Sequence, residues 1–465
     1  MTVPEWIQDA IFYQIFPDRF YNGDHENDPP NVQPWGSMPT RGGFQGGDLP
    51  GILQKFDYLL DLGINAIYLN PIFQATSNHR YNTTDYYRID PKLGSLEDFH
   101  LLIEHAHRNN VKIILDGVFN HCGRGFFAFN DILENQENSA YRDWFHIKQF
   151  PVNAYSPGEA SDYLGWWGMK SLPKFNTGNP KLRKYIMDIA RYWIEQGADG
   201  WRLDVPNEIN DDRFWEEFRM VIKSTNPEAY LVGEIWSADA HWVGEGHFDG
   251  LMNYPVRDAL TDLLVSNTIN TQQFFEKIDG LLSFYPHDHT YAMYVPVGSH
   301  DTERILTRMA SIEKTKLVYL FQFAYPGAPA IYYGDEIGLT GGKDPSCRGA
   351  FVWDEKSCNI ELRDLIKRLI ELRKQHIALR RGEFVSVKNI SNSACYTFLR
   401  KWYDDKILII INASNCEERI DINANELGWE EGQKIVDLID RSKEYFITDH
   451  MLIINLLAWS GIWLG

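Results

Sequence analysis

Short apolar runs alternate along most of the chain with longer stretches whose apolar positions recur at helical spacing. The runs lie at 10–16, 66–69, 112–118, 200–204, 230–234, 250–252, 292–297 and 330–333. They read as short, mainly apolar strands. Amphipathic helices are predicted between them, among others at 51–62, 96–109, 181–196, 212–223 and 315–323. Eight strand–helix repeats predict an α/β fold, a parallel (β/α)8 TIM barrel, carried by 1–120 and 181–378. The connection at 121–180 has little periodicity and far exceeds the ~15 residues of an ordinary loop; it is expected to form a lobe after the third strand and to line one wall of a cleft. Beyond a helix at 360–376 the period shortens, with strands predicted at 383–388, 395–400, 406–412, 419–422 and 451–456. This reads as a C-terminal all-β sandwich over 379–465. The apolar tail 451–464 includes Asn455 and Ser460, is too short to span a bilayer, and is expected to be one final buried strand.

Composition narrows the function. Hydrophobic residues at 44% and charged residues at 23% describe a globular chain, and the net charge of −19 argues against a nucleic-acid partner. Five cysteines, an odd number without a CxxC pair, suit reduced thiols. The stretch Met1-Thr2-Val3-Pro4-Glu5 has neither a basic nor an apolar leader region, so a cytoplasmic protein without a membrane anchor is expected. Of the 15 Trp, 24 Tyr and 26 Phe, many fall in Gly- and Pro-rich loops, where flat rings can stack on sugars; core packing is the plain alternative.

Polar residues gather where the predicted strands end, the catalytic edge of such a barrel: Asp116, Asn120 and His121, then Asp204, Glu234, and His300 with Asp301. In Gly200-Trp201-Arg202-Leu203-Asp204 the cation and the anion are two residues apart and share a face. The guanidinium is expected to keep Asp204 ionised as a nucleophile. Glu234, between Gly233 and Ile235-Trp236, is in a more apolar setting that favours its protonated form. Neighbouring strands are ~4.8 Å apart, which suits the ~5–5.5 Å carboxyl separation of a retaining glycosidase. Taken singly, each acid has a structural reading: an ion pair capping a strand for Asp204, a barrel-lining acid for Glu234, a helix N-cap ahead of Thr302-Glu303 for Asp301. Their coincidence at adjacent strand ends favours chemistry.

Four motifs, Asp116-Gly-Val-Phe-Asn-His121, Gly200-Trp-Arg-Leu-Asp-Val-Pro-Asn-Glu208, Gly233-Glu-Ile-Trp236 and Gly298-Ser-His-Asp301, resemble those of the α-amylase family of glycoside hydrolases, and the likeness covers essentially the whole chain. The resemblance implies Asp204 as nucleophile, Glu234 as acid/base and Asp301 as transition-state stabiliser. It also implies Arg202, His121 and His300 as ligands of the −1 sugar, Asp116 as partner of Arg202, Tyr81 as the ring beneath that sugar, and His79 as a further contact. Leu172-Pro-Lys-Phe-Asn176, Met252-Asn-Tyr-Pro-Val-Arg257 and Tyr332-Tyr-Gly-Asp-Glu-Ile-Gly338 look like the cyclomaltodextrinase, neopullulanase and maltogenic amylase subgroup. Trp242 would then be an acceptor-side aromatic, with packing as the alternative. Asp344 and Arg348 would touch donor-side sugars, a surface ion pair being the equal alternative. That subgroup usually carries an additional N-terminal β domain, whereas here the first barrel strand comes almost at once; a more open cleft, or one closed by other loops, is expected. The implied substrates are α-glucan oligosaccharides and cyclodextrins cut at α-1,4 bonds, with α-1,6 cleavage and transglycosylation as side reactions. An α-amylase, an α-glucosidase or a glucosyl-transferring relative shares all four motifs, and a non-catalytic sugar-binding barrel is the alternative of another class.

A second cluster, Asn22, Asp24, Asn27 and Asp28 with Gly46 and Asp48, places carboxylate and amide oxygens close together, as a hard cation such as Ca2+ requires. An Asx-turn loop explains the same residues; related enzymes hold calcium in a loop of this pattern, which favours the metal. The end of the second motif, Pro206-Asn207-Glu208, lacks the Lys-His of true α-amylases, so no second calcium is expected.

Overall fold

A computed structural model describes residues 3–387 and 394–465. Eight parallel strands form one sheet: β1 (Phe12–Ile15), β2 (Ala66–Leu69), β3 (Lys112–Gly117), β4 (Gly200–Leu203), β5 (Tyr230–Gly233), β6 (Gly250–Leu251), β7 (Tyr294–Pro296) and β8 (Ala328–Tyr332). Their order is β6-β5-β4-β3-β2-β1-β8-β7, and a parallel bridge between Met252 and Tyr294 joins the two outer strands, closing the barrel.

Strand alternation divides the core. Phe12, Tyr68, Ile114, Tyr230, Val232, Tyr294 and Ala330 pack together inside the barrel. Tyr13, Ile67, Ile113, Leu115, Leu231 and Ile331 belong to the larger core that includes the surrounding helices. Two residues beyond an inward apolar side chain, the same parity puts a polar one on the inner face: Gln14 after Phe12, Asn70 after Tyr68, Asp116 after Ile114, Glu234 after Val232. A polar layer therefore caps an apolar one at the C-terminal mouth.

The helices start where local chemistry dictates. Leu96–Arg108 opens with a capping box between Ser95 and Asp98, and Pro180–Glu195 starts on Asn179 with proline in the first turn. The predicted 51–62 helix is two, Leu49–Gln54 and Phe56–Leu62, divided at Lys55. The helices Tyr254–Thr261 and Thr271–Phe284 and the hairpin Phe73–Ala75/Thr83–Ile89 are elements the sequence reading did not name. Within 121–180 lies another, Phe127–Asn135, held by an aromatic cluster of Phe126, Phe129, Phe145, Tyr163 and Phe175 rather than by helical periodicity.

The C-terminal part is all β. Strands β9 (Glu383–Ser386), β10 (Cys395–Trp402), β11 (Asp405–Asn412), β12 (Glu418–Asn423), β13 (Lys434–Val436), β14 (Glu444–Phe446), β15 (Met451–Leu456) and β16 (Gly461–Leu464) form three antiparallel sheets, β9-β10-β11-β16, β12-β15 and β13-β14. Leu408, Ile410 and Ile462 of the first pack with Ile420, Ile422, Leu452 and Ile454 of the second. The tail expected as one strand is two, β15 and β16, on different sheets, turning where Trp459 takes a φ of 50°. Lys388, the last residue of the predicted 383–388 strand, lies outside the described residues.

Candidate active site

Arg202 stands at the centre of the polar layer. Its NH1 donates to Asp116 Oδ1 at 2.9 Å and Asp204 Oδ1 at 3.0 Å, and its NH2 is 2.9 Å from Glu234 Oε1. One guanidinium thus faces three buried carboxyls. Leu203 and Gly233 are register partners on β4 and β5, and the Glu234 amide continues the ladder to the Leu203 carbonyl at 3.0 Å. Asp204 and Glu234 are thereby neighbours across one strand spacing, at the same end of the barrel.

The turn after Asp204 is strained. Val205 has φ 35° and ψ 53°, a left-handed conformation that β-branched residues avoid. It aims the Val205 N–H at Glu234 Oε2, 3.0 Å away. Burial pushes the Glu234 carboxyl up to about 7, against the pull of Arg202. Asp204 departs from expectation. Burial, with Glu234, Asp116 and Asp301 nearby, outweighs Arg202 and raises its pKa well above the usual range. The physical reason is that Arg202 is not a private partner: its charge is divided, and the acids titrate as a set.

Asp116 is fastened below this pair, accepting from Tyr68 Oη at 2.5 Å and Tyr81 Oη at 2.8 Å. Tyr81 Oη also lies 2.5 Å from His300 Nε2, and the two rings stack at 5.4 Å with 6° between planes. The Gln14 amide nitrogen donates to Asn70 Oδ1 at 3.0 Å and contacts His300 Nδ1 at 2.8 Å, so Nδ1 is the acceptor. Burial and the guanidiniums of Arg348 and Arg202 hold His300 well below its usual pKa. The ring is neutral, and its Nε2 proton faces Asp301 Oδ2 at 3.0 Å. Asp301 is no helix cap, because the next helix starts only at Ile305; its other oxygen meets Arg348 NH2 at 3.1 Å. Arg348 also pairs with Asp344 at 3.0 Å, so these two predicted sugar contacts are linked through Arg348 to Asp301. His79 stacks on Tyr81 at 5.9 Å, and burial lowers its pKa to about 4.

The inserted segment contributes Trp166, stacked on His121 at 4.9 Å and 9°, with the exposed Trp167 stacked on it in turn. His121 Nε2 is buried without a protein partner, and burial pushes this ring down to about 3. Beside Glu234, the half-exposed Trp236 lies flat on Tyr254 at 4.0 Å and 4°. Trp242, expected as the acceptor-side aromatic, is instead 6% exposed and stacked on Phe248, so packing claims it. Sequence reasoning also missed Gln14, Tyr68, Asn70 and Trp166. Gln14 and Asn70 carried a signal, because each follows an inward residue by two.

In the second cluster, Asp48 is fully engaged. Its Oδ1 accepts from the Gly23 and Gly51 amides, its Oδ2 from the Asp24 amide and Asn27 Nδ2. It organises the loop and caps the helix Leu49–Gln54 rather than offering a free ligand oxygen. Asp24 caps a turn through one oxygen, its Oδ1 accepting from the Glu26 amide at 3.0 Å. Asn22 Oδ1 and Asn27 Oδ1 are buried without partners, and Asp28 accepts from Asn22 Nδ2 at 2.9 Å. Gly46 has φ 83°, and a Cβ there would come within 2.3 Å of Asp28 Oδ1, so the backbone must stay bare to approach. Unsatisfied buried amide oxygens beside a carboxylate fit a hard cation.

A closed parallel barrel with acids paired across adjacent strand ends, a buried guanidinium between them and stacked rings around them defines a glycoside hydrolase. The model of the α-amylase catalytic domain matches residues 14–363. A cyclomaltodextrinase of Thermoanaerobacter pseudethanolicus is 43% identical over 438 residues, 94% of this chain and 75% of that protein. An intracellular maltogenic amylase of Bacillus subtilis is 40% identical, over 93% of this chain and 73% of its own length. Among solved structures, the cyclic α-maltosyl-(1→6)-maltose hydrolase of Arthrobacter globiformis, in complex with that sugar, superposes with a TM-score of 0.90 at 38% identity and 100% coverage of both chains. The chain belongs to the α-amylase family, in its cyclomaltodextrinase, neopullulanase and maltogenic amylase group.

Proposed function

We propose that this enzyme hydrolyses α-1,4-glucosidic bonds of cyclodextrins and short maltooligosaccharides with retention, through Asp204 as nucleophile and Glu234 as acid/base. The observation that carries the reading is the pairing of Leu203 with Gly233, which makes the two carboxyls neighbours over one guanidinium. Glu234, its pKa raised to about 7, gives its proton to the glycosidic oxygen as that bond breaks. The acids share protons as one set, and in the reactive form Glu234 holds the proton while Asp204, 3.0 Å from Arg202, is the carboxylate that closes on the anomeric carbon from the opposite face and forms a glycosyl ester. Its negative charge is then consumed, and Arg202 turns to the Glu234 carboxylate, which the Val205 N–H also steadies. Glu234 finally takes a proton from the incoming water or sugar hydroxyl as the ester opens.

Asp301 and the Nε2–H of His300 receive sugar hydroxyls and support the oxocarbenium-like transition state. Tyr81 supplies the flat face beneath the ring, and His121 Nε2 and His79 are further hydroxyl partners. Trp236 takes the acceptor-side stacking role in place of Trp242. Cleavage of α-1,6 bonds leads to the same glycosyl ester, and transfer to a sugar acceptor consumes it in place of water. The measurement that tests this is a product profile on β-cyclodextrin, pullulan, soluble starch and maltotriose, with the anomer of the first product read by NMR. Initial release of the α-anomer, fastest from cyclodextrin or maltotriose, is expected; an initial β-anomer refutes the retaining pair.

Asn22, Asp24, Asn27, Asp28 and the Gly46 carbonyl would hold one structural Ca2+, which supplies positive charge to a crowded oxygen cluster and takes no part in catalysis. A cytoplasmic location is supported by an odd number of cysteines without a CxxC pair and by the intracellular Bacillus relative. No helix among the described residues is long and apolar enough to cross a membrane.

A further inference from the structure

Away from the carboxyl pair, three metal-ligating side chains converge on one point. His241 Nε2 lies 3.0 Å and His247 Nε2 3.3 Å from the same oxygen, Asp212 Oδ1. All three ligand atoms fall within 4.8 Å of one another. Tetrahedral zinc with bonds of 2.0–2.2 Å puts its ligand atoms ~3.3 Å apart, so both nitrogen–oxygen edges are already near the coordination distance.

The scaffold behind them is built. Asp212 begins the helix Asp212–Thr225, whose start is capped by Asp211. The loop between β5 and β6 folds back on itself: the Phe248 amide bonds to the Trp242 carbonyl at 3.1 Å, and the Gly244 amide to the Phe248 carbonyl at 3.2 Å. Gly244 has φ 124°, a conformation that favours glycine, and the reversal brings His241 beside His247, ring centres 4.7 Å apart. The buried Trp242 ring stands edge-on to both imidazoles, at 5.2 and 5.4 Å, and sets their orientation. Arg219 donates to the His247 carbonyl at 3.1 Å. Glu216, one helical turn from Asp212, lies against Gly246, where a Cβ would be 3.5 Å from its Oε1. It offers a carboxylate to orient a ligand or a bound water.

We propose that Asp212, His241 and His247 bind one divalent transition metal of the Zn2+ type, with water as fourth ligand, clamping the β5–β6 loop to the helix Asp212–Thr225. Two imidazoles and one carboxylate select Zn2+, Co2+, Ni2+ or Cu2+ over Ca2+ and Mg2+, which prefer all-oxygen shells. The clamped loop also carries Trp236, so the metal stiffens the segment that follows Glu234.

The test is calorimetric titration of the whole chain with ZnCl2 in Ca2+-saturated buffer, beside His241→Ala and Asp212→Asn. Both altered side chains are about half exposed, so the variants are expected to fold. One Zn2+ per chain is expected, with the melting temperature raised by about 2–3 °C at a hundredfold excess over Kd. Each variant should lose roughly tenfold or more in affinity and show no such rise. Co2+ on the wild type should give the strong visible bands of a tetrahedral site. Absence of a Zn2+ heat in the wild type, or the same heat and melting shift in both variants, overturns the assignment; so does a Co2+ spectrum of the weak octahedral kind.

Discussion

Replacing Glu234 by glutamine separates proton donation from shape. A carboxyl at the ordinary value of 4.5 would be protonated to only about 0.3% at pH 7, whereas one at about 7 is half protonated. Burial therefore enlarges the acid form more than a hundredfold. Glutamine keeps the volume but not the proton, and it has one acceptor where Glu234 uses two, towards Arg202 NH2 and the Val205 amide. One contact is lost at about 1–3 kcal/mol of positioning. Loss of acid catalysis itself costs about 10²–10⁴ in rate, or roughly 3–5 kcal/mol of barrier. The assay compares maltotriose with a nitrophenyl maltoside, whose phenolate leaves without help. On maltotriose kcat/KM should fall by the full factor; on the aryl glycoside the glycosylation step should fall far less, and azide should restore turnover. The wild-type rate on maltotriose should decline as pH rises through about 7, because the required form is the protonated one, and the variant should lack that limb on the aryl glycoside. Equal loss on both substrates with no azide rescue would mean that Glu234 only positions groups, and the proton-transfer argument would fail.

Asp204→Asn should lower maltotriose turnover by roughly 10⁴ or more with little change in melting temperature; near-native turnover would remove the nucleophile assignment. Stripping calcium with EDTA should lower the melting temperature by about 2–4 °C, restored by Ca2+ but not Mg2+, and an unchanged melt would exclude the site at Asn22, Asn27 and Asp28. Asp249 lies wholly buried between Arg219 at 2.9 Å and Lys223 at 2.8 Å. Asp249→Asn leaves two buried cations short of their counter-charge and should cost about 3–5 kcal/mol in urea unfolding; a loss under 1 kcal/mol would contradict that account.

Much of the architecture is written in period. The eight barrel strands are short, mostly apolar runs broken by polar residues towards their C-terminal ends, and each is found where its run lies. The helices with clear caps, such as Leu96–Arg108, are equally legible. Less legible are elements stabilised by distant partners. The helix Phe127–Asn135 is held by aromatic rings up to about fifty residues further along the chain, and β15 and β16 part because they join different sheets. Such contacts leave no local periodicity.

The sequence alone determined which side chains meet at the mouth of the barrel, because a two-residue period and a parallel register send Asp116, Arg202, Asp204 and Glu234 to one rim. Only the tertiary structure decided how they share charge. It gave Arg202 to three acids instead of one, raised Asp204 along with Glu234, turned Trp242 inward onto Phe248, and left Trp236 on Tyr254 at the surface. It also brought His241 and His247 to Asp212, 29 and 35 residues earlier in the chain. Parity along a strand is a local property of the backbone; burial, shared counter-charge and ring orientation depend on what other segments bring to the same place, and no single stretch of chain carries that information.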